Sequence, residues 1–561
     1  MKTMKTMKAK TMAKNKRIVC VIDAETDPFK YGRAPKPFAW GVRFGDVYLD
    51  FWGKDATREM VEFLLSVKEP MIVYAHNGGK FDFFFLLRYI SNPIKLIHGR
   101  IAKAKLGHHE LRDSWLINPQ RLSAYKKDEI DYALFERGVR EKHKDVILKY
   151  LRGDCEYLYD LVSAFVNRFG PLLTAPLAAM RELKEIHPQQ FGGKSHDDKF
   201  RRFYYGGRVE CFDKGIIKGS FMVIDVNSMY PHVMRAFKHP KGTKYVAKVD
   251  CQLDVAGWVK GFPNCLYFAK VEGYSYGALP VRTKDNNGGL SFPKGYGVFD
   301  TCSHELREAI ALRLFKVARV IEAYIPCEAQ SFAGFVDKFY AEKVNAKRAG
   351  DKIAEIQAKL MLNSAYGKFG QNPADFEDYA LERLGVDQTP NFDEWELYES
   401  SPHYRIWRKR KIEAAPDSGE AGIDKKAGYF DVAIAASVTS AARSVLMRAI
   451  ASVNRPMYCD TDSLICEGPG RLELDPLNLG AWKLEARGNR LALGGKKLYC
   501  LWDGAEPVKY ASKGVHISPE DIDKVARGGV VEWENDAPNF SLTGQVRFVK
   551  RRAMSTLDAR I

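Results

Sequence analysis

Short apolar runs that stop abruptly at an acidic residue recur along the chain. Gly219-Ser220-Phe221-Met222-Val223-Ile224 runs into Asp225, and Arg17-Ile18-Val19-Cys20-Val21-Ile22 runs into Asp23. Arg455-Pro456-Met457-Tyr458-Cys459 reaches Asp460-Thr461-Asp462-Ser463 and then resumes as Leu464-Ile465-Cys466. Runs of this length bounded by polar residues predict buried strands, and the third predicts a β-hairpin with two aspartates at its tip. Helical spacing governs other segments. Lys359, Asn363 and Tyr366 fall at i, i+4 and i+7, one polar stripe on a helix, and Tyr150 and Asp154 stand one helical turn apart. Phe335 to Lys343 and Ile353 to Lys359 predict two helices joined near Ala349-Gly350-Asp351.

Composition narrows the class of partner. The 561 residues allow three or four domains at roughly 100–200 residues each. Lys plus Arg number 87 against 70 acidic residues, a net charge of +17, which favours polyanionic partners and salt-sensitive binding. Ten cysteines without a C-x-x-C pair argue against zinc fingers and a disulfide framework, and fit a reducing compartment. No apolar run approaches membrane-spanning length, and residues 1–17 lack the apolar core of a signal peptide, so their Met-Lys-Thr repeats read as a disordered basic tail or as upstream start codons read through.

The acidic strand ends carry the candidate chemistry. Side chains two apart on an extended chain share a face, so Asp460 and Asp462 are expected to point the same way, as are Asp23 and Glu25. Hard oxygen ligands suit Mg²⁺ or Mn²⁺, ions that keep several waters and bind substrate phosphates. An ordinary solvated turn would also accommodate Asp-Thr-Asp. On the helical stripe, Lys359 can neutralise a phosphate, Tyr366 offers a ring for stacking, and Gly367 permits close approach. A solvated helix face would look alike.

Taken in order, Asp225-Val226-Asn227-Ser228-Met229-Tyr230-Pro231, Lys359 to Gly370 and Tyr458 to Ser463 resemble motifs A, B and C of family B DNA polymerases. The resemblance is closest to the protein-primed branch found in linear-genome phages, particularly the tectivirus type, and it covers nearly the whole chain. It implies a multidomain α/β and α+β fold: a ribonuclease H-like exonuclease domain followed by a right-hand core of palm, fingers and thumb with two insertions. It further implies two metal ions at each of two active sites. In the polymerase site Asp225 and Asp462 would be ligands, with Asp460 beside them and the Val226 carbonyl assisting. Tyr230 would lie under the sugar and exclude a 2′-hydroxyl, although plain core packing is the competing reading. Lys343, with Lys347 as rival, would join Lys359, Asn363 and Tyr366 in binding the nucleotide.

Further segments extend the resemblance. Asp23-Ala24-Glu25-Thr26, Tyr74 to Asp82 and Tyr150 to Asp154 are similar to the family's three exonuclease motifs, implying Asp23, Glu25, Asp82 and Asp154 as ligands and Tyr150 as the residue orienting the attacking water. Thr26, Asn77, Phe81 and Ser114 would hold the frayed primer end. The family's catalytic lysine is matched equally by Lys142 and Lys144. Tyr204-Tyr205-Gly206-Gly207, Thr439-Ser440-Ala441-Ala442-Arg443 and Lys497-Leu498-Tyr499 match the Tyr-x-Gly-Gly, Thr-x-x-Ala-Arg and Lys-x-Tyr elements. By resemblance Tyr204, Gly206, Gly207, Thr439, Arg443, Lys497 and Tyr499 would contact DNA.

The expected organisation is a tail (1–17), exonuclease (18–185), palm with motif A (186–236), insertion 1 docking a priming protein (237–330), fingers (331–370), insertion 2 for strand displacement and processivity (371–429), palm with motif C (430–500) and thumb (501–561). Insertion 1 reads as strand-rich, and insertion 2 as polar, aromatic and loop-like, where a flexible surface loop is the competing reading. The expected activity is DNA synthesis that starts on a hydroxyl of a separate terminal protein and displaces strand, with 3′–5′ proofreading. Expected partners are template and primer DNA, dNTPs and that terminal protein, with no membrane; the protein is expected to be a monomer in the host cytoplasm. The alternatives are a family B polymerase that uses only nucleic-acid primers, and a catalytically silent DNA-binding protein.

Overall fold

The computed structural model describes residues 17–555 apart from 31, 123–128, 193, 252–264, 284–288, 373–376 and 411–428. Residues 1–16 of the expected tail therefore lie outside the described residues, as do parts of both expected insertions.

The first acidic strand, Ile18–Thr26, lies inside a ten-stranded sheet. It runs parallel to Met71–Ala75 and antiparallel to Pro37–Phe44, and Met71–Ala75 in turn runs parallel to His109–Asp113. Helix Lys144–Phe169 packs on this sheet through Ile147, Leu151, Cys155 and Leu158, an i, i+4, i+8, i+11 stripe that the sequence repeats at helical spacing. The same stripe brings Asp154 to the strand that carries Asp23 and Glu25.

The far edge of that sheet corrects the expectation for insertion 2. Strands Tyr379–Arg383, Trp395–Ser400 and Tyr404–Lys409 form an antiparallel extension joined to the rest of the sheet where Tyr379 pairs with Ile94. The Asn92 side chain completes the junction: its Nδ2 donates to the Leu381 carbonyl (2.8 Å) and its Oδ1 accepts from the Leu381 N–H (2.9 Å). Leu381 and Ile406 are buried in the same core as Phe83, Phe84 and Leu87. The segment is polar on average, but Leu381, Ile406 and Trp407 sit at strand positions that are buried.

The second and third acidic strand ends meet in a seven-stranded antiparallel sheet. Its order is Glu506–Ser512, Leu498–Asp503, Trp482–Gly495, Gly215–Val226, Ser463–Gly468, Asn454–Asp460 and Val209–Cys211. The first of these strands lies wholly beyond residue 500 and the second half so, which extends the sheet into the region expected to be thumb. The rest of that region is a helix, Pro519–Ala526, and a long hairpin, Val531–Phe540 with Val546–Ala553. The hairpin tip reaches the ten-stranded sheet: Phe540 stacks on Phe84 (centroids 5.0 Å, 6°), and the N–H groups of Leu542 and Thr543 donate to Glu399 of insertion 2.

Helices Ala333–Ala349 and Lys352–Phe369 form the expected hairpin, reversed at Gly350 (φ +72°) and capped by the Asp351 carboxylate, which accepts from the Ala354 N–H. Insertion 1 is strand-rich as expected, a four-stranded sheet of Tyr245–Cys251, Phe315–Pro326, Phe268–Tyr276 and Lys294–Cys302, with helix Ser303–Ala311 leading from the strand that ends at Cys302. Helix Val432–Ser452 is the one described helix long and apolar enough to cross a membrane, contrary to the reading that no such run exists; its most apolar stretch is 83% buried inside the protein, because its Ala- and Val-rich surface is covered by palm, fingers and insertion 1. A single apolar core joins Val21 and Phe165 to Met222, Phe335, Met361 and Val438. The ten-stranded sheet, the seven-stranded sheet and the helical hairpin are thus packed together.

Candidate active sites

At the ten-stranded sheet, one carboxylate oxygen each from Asp23, Glu25 and Asp154 lies within 4.8 Å of the others, the one such acidic trio among the described residues. Asp82 is buried at the start of a 3₁₀ turn, Asp82–Leu86, and accepts a backbone hydrogen bond from Ala24, which stands between the two strand carboxylates. Burial pushes the Asp82 carboxyl well above its usual range. Burial, with the Tyr132 hydroxyl 3.4 Å away and the charges of Asp154 and Glu25, likewise raises the Tyr150 phenol. The three crowded carboxylates, beside a phenol, form a group of oxygen donors that could hold a hard cation.

The primer-end residues are arranged unevenly. Asn77 adopts φ +59° ahead of the turn Gly78–Lys80, and Phe81 sits edge-on to Phe29, Phe85 and Phe540 (5.6, 5.1 and 5.8 Å). Thr26 is buried, with its hydroxyl donating to the Asp27 carbonyl. Ser114 departs from the expectation of a direct DNA contact: it is 1% exposed, and its hydroxyl is engaged by His76 Nδ1 (3.0 Å) and the Ala75 carbonyl (3.3 Å). Lys142 and Lys144 flank the start of the long helix, and the Lys144 ammonium lies over the Trp52 ring at 5.4 Å.

In the palm, strand Gly215–Val226 pairs with Ser463–Gly468 so that Asp225 stands opposite Ser463, and the Val226 N–H donates to the Asp462 carbonyl (2.8 Å). Motifs A and C are therefore neighbours in one sheet. Burial and then the adjacent Asp225 push the Asp462 carboxyl up to about 6, and Asp225 is itself raised, mainly by burial. Two half-buried acids side by side form a pair of oxygen donors that could hold a cation with hard oxygen preference.

Asp460 and Asp462 do not both lie on one extended strand, so the alternation expected of such a strand does not apply to them. Thr461 takes φ +62° and the chain turns at Thr461-Asp462, so the strand ends at Asp460, which pairs with Ser463. The Asp460 carboxylate is held by Lys497 Nζ (2.6 Å) and the Tyr458 hydroxyl (3.3 Å). The Lys-x-Tyr element thus places Lys497 on Asp460 and Tyr499 against Tyr458 (5.1 Å).

Tyr230 lies in the first turn of helix Met229–Ala236, and its ring stacks on Tyr366 at 3.8 Å and 14°, a contact worth about 0.5–1.5 kcal/mol beyond burial. Lys359, Asn363 and Tyr366 share one side of helix Lys352–Phe369, away from the buried Leu360 and Met361. Burial, and then the charge of Lys359, push the Lys343 ammonium below its ordinary value, with Lys347 and Lys483 contributing. Like charges crowded into a half-buried recess suit a triphosphate.

The Thr-x-x-Ala-Arg element is the largest departure. Thr439 and Arg443 are each 2% exposed inside helix Val432–Ser452, and Arg443 is paired with the fully buried Glu305 (Nε to Oε2, 2.7 Å). Its guanidinium cannot reach a template phosphate while so occupied, and removing one partner of such a buried pair costs about 3–5 kcal/mol. Arg443 instead donates to the carbonyls of Tyr205 (2.7 Å) and Gly206 (2.8 Å). Within the Tyr-x-Gly-Gly loop, Gly206 is exposed, Gly207 packs on Thr461, and Tyr204 packs on Gly370.

Sequence reading did not single out Lys483 and Glu485. Lys483 Nζ lies 3.3 Å from Asp225 and 3.0 Å from Glu485, which also binds Lys509 (2.9 Å). The signal was present, since two charges flank Leu484 at strand spacing, but only the pairing of Lys483 opposite Asp225 gives it meaning.

A palm sheet carrying paired acids, a lysine-lined helical hairpin and a separate acidic trio at a second, mixed sheet are the parts of a nucleotidyl-transfer enzyme. The chain belongs to the DNA polymerase type B family, organellar and viral, whose family model matches residues 125–455. It is a DNA-directed DNA polymerase of the phage type. It is 41% identical to the DNA-directed DNA polymerase of Enterobacteria phage PRD1, over 96% of this chain and 98% of that relative. The DNA polymerase of Bacillus phage Nf is 24% identical over 76% of this chain and 73% of its own. The solved structure of Phi29 DNA polymerase shares the fold with a TM-score of 0.72 at 18% identity, covering 96% of this chain and all of that one. A second Phi29 structure, in complex with primer-template DNA and incoming nucleotides, superposes with a TM-score of 0.71 at 19% identity over the same shares.

Proposed function

We propose that this polymerase starts synthesis on a hydroxyl of a separate terminal protein, elongates with strand displacement, and proofreads in the 3′–5′ direction. Each of its two sites uses a pair of Mg²⁺ or Mn²⁺ ions. The observation that carries this reading is the presence of two separate acidic centres, Asp225 with Asp462 on the palm sheet and Asp23, Glu25 and Asp154 at the other sheet. Divalent ions at the first would activate the attacking hydroxyl and stabilise the leaving pyrophosphate. The chain's own groups do the rest there: Lys343 and Lys359 face the triphosphate, Tyr230 and Tyr366 provide the floor, and Lys497 fixes Asp460.

Protein priming is supported by insertion 1. The register sets Tyr274 opposite Tyr296, and with Tyr276 and Val298 they expose 41–64% of their surface on one sheet face. Exposed tyrosines so clustered are characteristic of protein interfaces. Incubated with its terminal protein, labelled dNTP and Mg²⁺, the polymerase should form a covalent protein–dNMP adduct. The double substitution Tyr274→Ala, Tyr296→Ala should reduce that adduct about tenfold or more, the effect of losing interface aromatics worth roughly 1.4 kcal/mol or more, while extension of a DNA primer is kept. Extension of DNA primers without any adduct would assign the chain to nucleic-acid priming alone.

Strand displacement is supported by the second insertion, which extends the ten-stranded sheet and meets the C-terminal hairpin through Glu399 and Thr543 (Oγ1 to Oε1, 2.8 Å). A closed contact between two elements from distant parts of the chain is suited to hold one strand apart from another. Deleting residues 371–429 should leave gap filling intact and shorten products on nicked duplex several-fold. Full-length displacement products from the deletion variant would reduce the insertion to a passive extension.

A further inference from the structure

The loop Tyr204–Arg208 leads into the first palm strand, and three of its consecutive carbonyls are held by two arginines. Arg443 donates to Tyr205 and Gly206, while Arg282 Nη2 donates to the Tyr204 carbonyl (2.6 Å) and its guanidinium lies 4.8 Å from the Tyr205 ring centroid. Glu305 takes both Nε (2.7 Å) and Nη2 (2.9 Å) of Arg443, a two-point grip that fixes the plane of the guanidinium. Glu305 is itself fixed, since its Oε1 accepts from Thr301 Oγ1 (3.3 Å) and its N–H donates to Ser440 Oγ (3.2 Å). Arg282 and Glu305 both come from insertion 1.

The other end of the loop bears on the catalytic turn. A Cβ on Gly207 would come within 2.6 Å of Thr461 Oγ1, so the glycine is in direct contact with Thr461. The Thr461 N–H donates to the Arg208 carbonyl (2.8 Å). Thr461 is the residue with φ +62° between Asp460 and Asp462, and a β-branched residue in that conformation persists only where its surroundings impose it. A continuous series of contacts therefore runs from Glu305 and Arg282, through the held carbonyls, to the turn that carries the motif C carboxylates.

We propose that Glu305 and Arg282 are positioning residues for nucleotidyl transfer, which hold the Tyr204–Arg208 loop against Thr461 and so keep Asp462 aligned with Asp225. Neither touches the carboxylates, and neither belongs to a motif singled out in the sequence. A shift of about 1 Å in a reacting group can cost on the order of a hundredfold in rate, so a loosened turn acts on the chemical step. The triphosphate recess around Lys343 and Lys359 lies elsewhere, on the fingers, and is left intact.

The test is single-nucleotide incorporation by Glu305→Gln, Arg282→Ala and Arg282→Lys, with kcat and KM for dNTP separated and thermal melting recorded for each variant. Glu305→Gln should lower kcat about tenfold and Arg282→Ala about threefold, with KM for dNTP within twofold of the parent, and Arg282→Lys should recover most of the loss by restoring a donor. Wild-type kcat in both Glu305→Gln and Arg282→Ala overturns the proposal. So does a loss in Arg282→Ala accompanied by a lowered melting temperature and no recovery in Arg282→Lys, which marks a purely structural contact. Should Glu305→Gln fail to fold, the exposed Arg282 decides alone by the same criteria.

Discussion

Asp462→Ala is expected to abolish DNA synthesis, lowering incorporation by roughly 10³-fold or more, about 4 kcal/mol of transition-state stabilisation, while degradation of single-stranded DNA continues at the parental rate. The expectation rests on position. Asp462 sits in a two-residue turn whose backbone is hydrogen-bonded to Val226, and after burial it is Asp225 that most raises its carboxyl. A substitution there removes one of two adjacent acids, whereas Asp460 is already neutralised by Lys497. The same geometry sets a pH dependence. Because the Asp462 carboxyl is raised to about 6, it takes up a proton as pH falls through that value, and the proton competes with a bound cation. The Mg²⁺ concentration for half-maximal synthesis should therefore rise as pH drops from about 8 to about 5.5, on either side of that value. A requirement for Mg²⁺ that is flat over that range, or residual synthesis well above the roughly 10⁻³ level in Asp462→Ala, would count against Asp462 as a metal ligand.

Asp23→Ala should do the reverse, lowering 3′–5′ degradation of single-stranded DNA by roughly 10³-fold while extension of a matched primer is unchanged. Asp23 is one corner of a carboxylate trio in which the spacing leaves little slack, so one missing oxygen ligand breaks the set. Its strand belongs to a different sheet from Asp225 and Asp462, and no carboxylate is shared. The two sheets do share an apolar core through Val21, Phe165, Met222 and Ile224, so a melting curve has to accompany the assay. A variant that melts normally yet loses synthesis as well would mean that the two centres are not independent.

Much of the site is legible in the sequence. Asp225 and Asp460 lie at or next to the end of an apolar strand and Asp23 follows an apolar run, and such a strand is recognised from five or six contiguous residues. The stripe of Lys359, Asn363 and Tyr366 is likewise local, since 3.6-residue periodicity decides which side chains share a helix face. Strand alternation misleads at Asp460 and Asp462, because the positive φ of Thr461 places Asp462 in the turn rather than on the strand. Arg443 reads as a cation available to DNA, yet the burial of its helix and the carboxylate of Glu305 remove it from the surface. Insertion 2 reads as a loop because its average polarity hides the few residues, Leu381 and Ile406, that dock in the core of the ten-stranded sheet.

The chain by itself determined which residues could bear charge at strand ends, which faces of its helices are polar, and hence the two sets of carboxylates. Only the tertiary structure decided that Asp225 stands next to Asp462, that Lys483 lies against Asp225, and that Arg443 turns inward to hold a loop. The division has a physical cause: periodicity and propensity act over a few residues, whereas burial, sheet pairing and the electrostatic cost of an uncompensated charge depend on neighbours that arrive from distant parts of the chain.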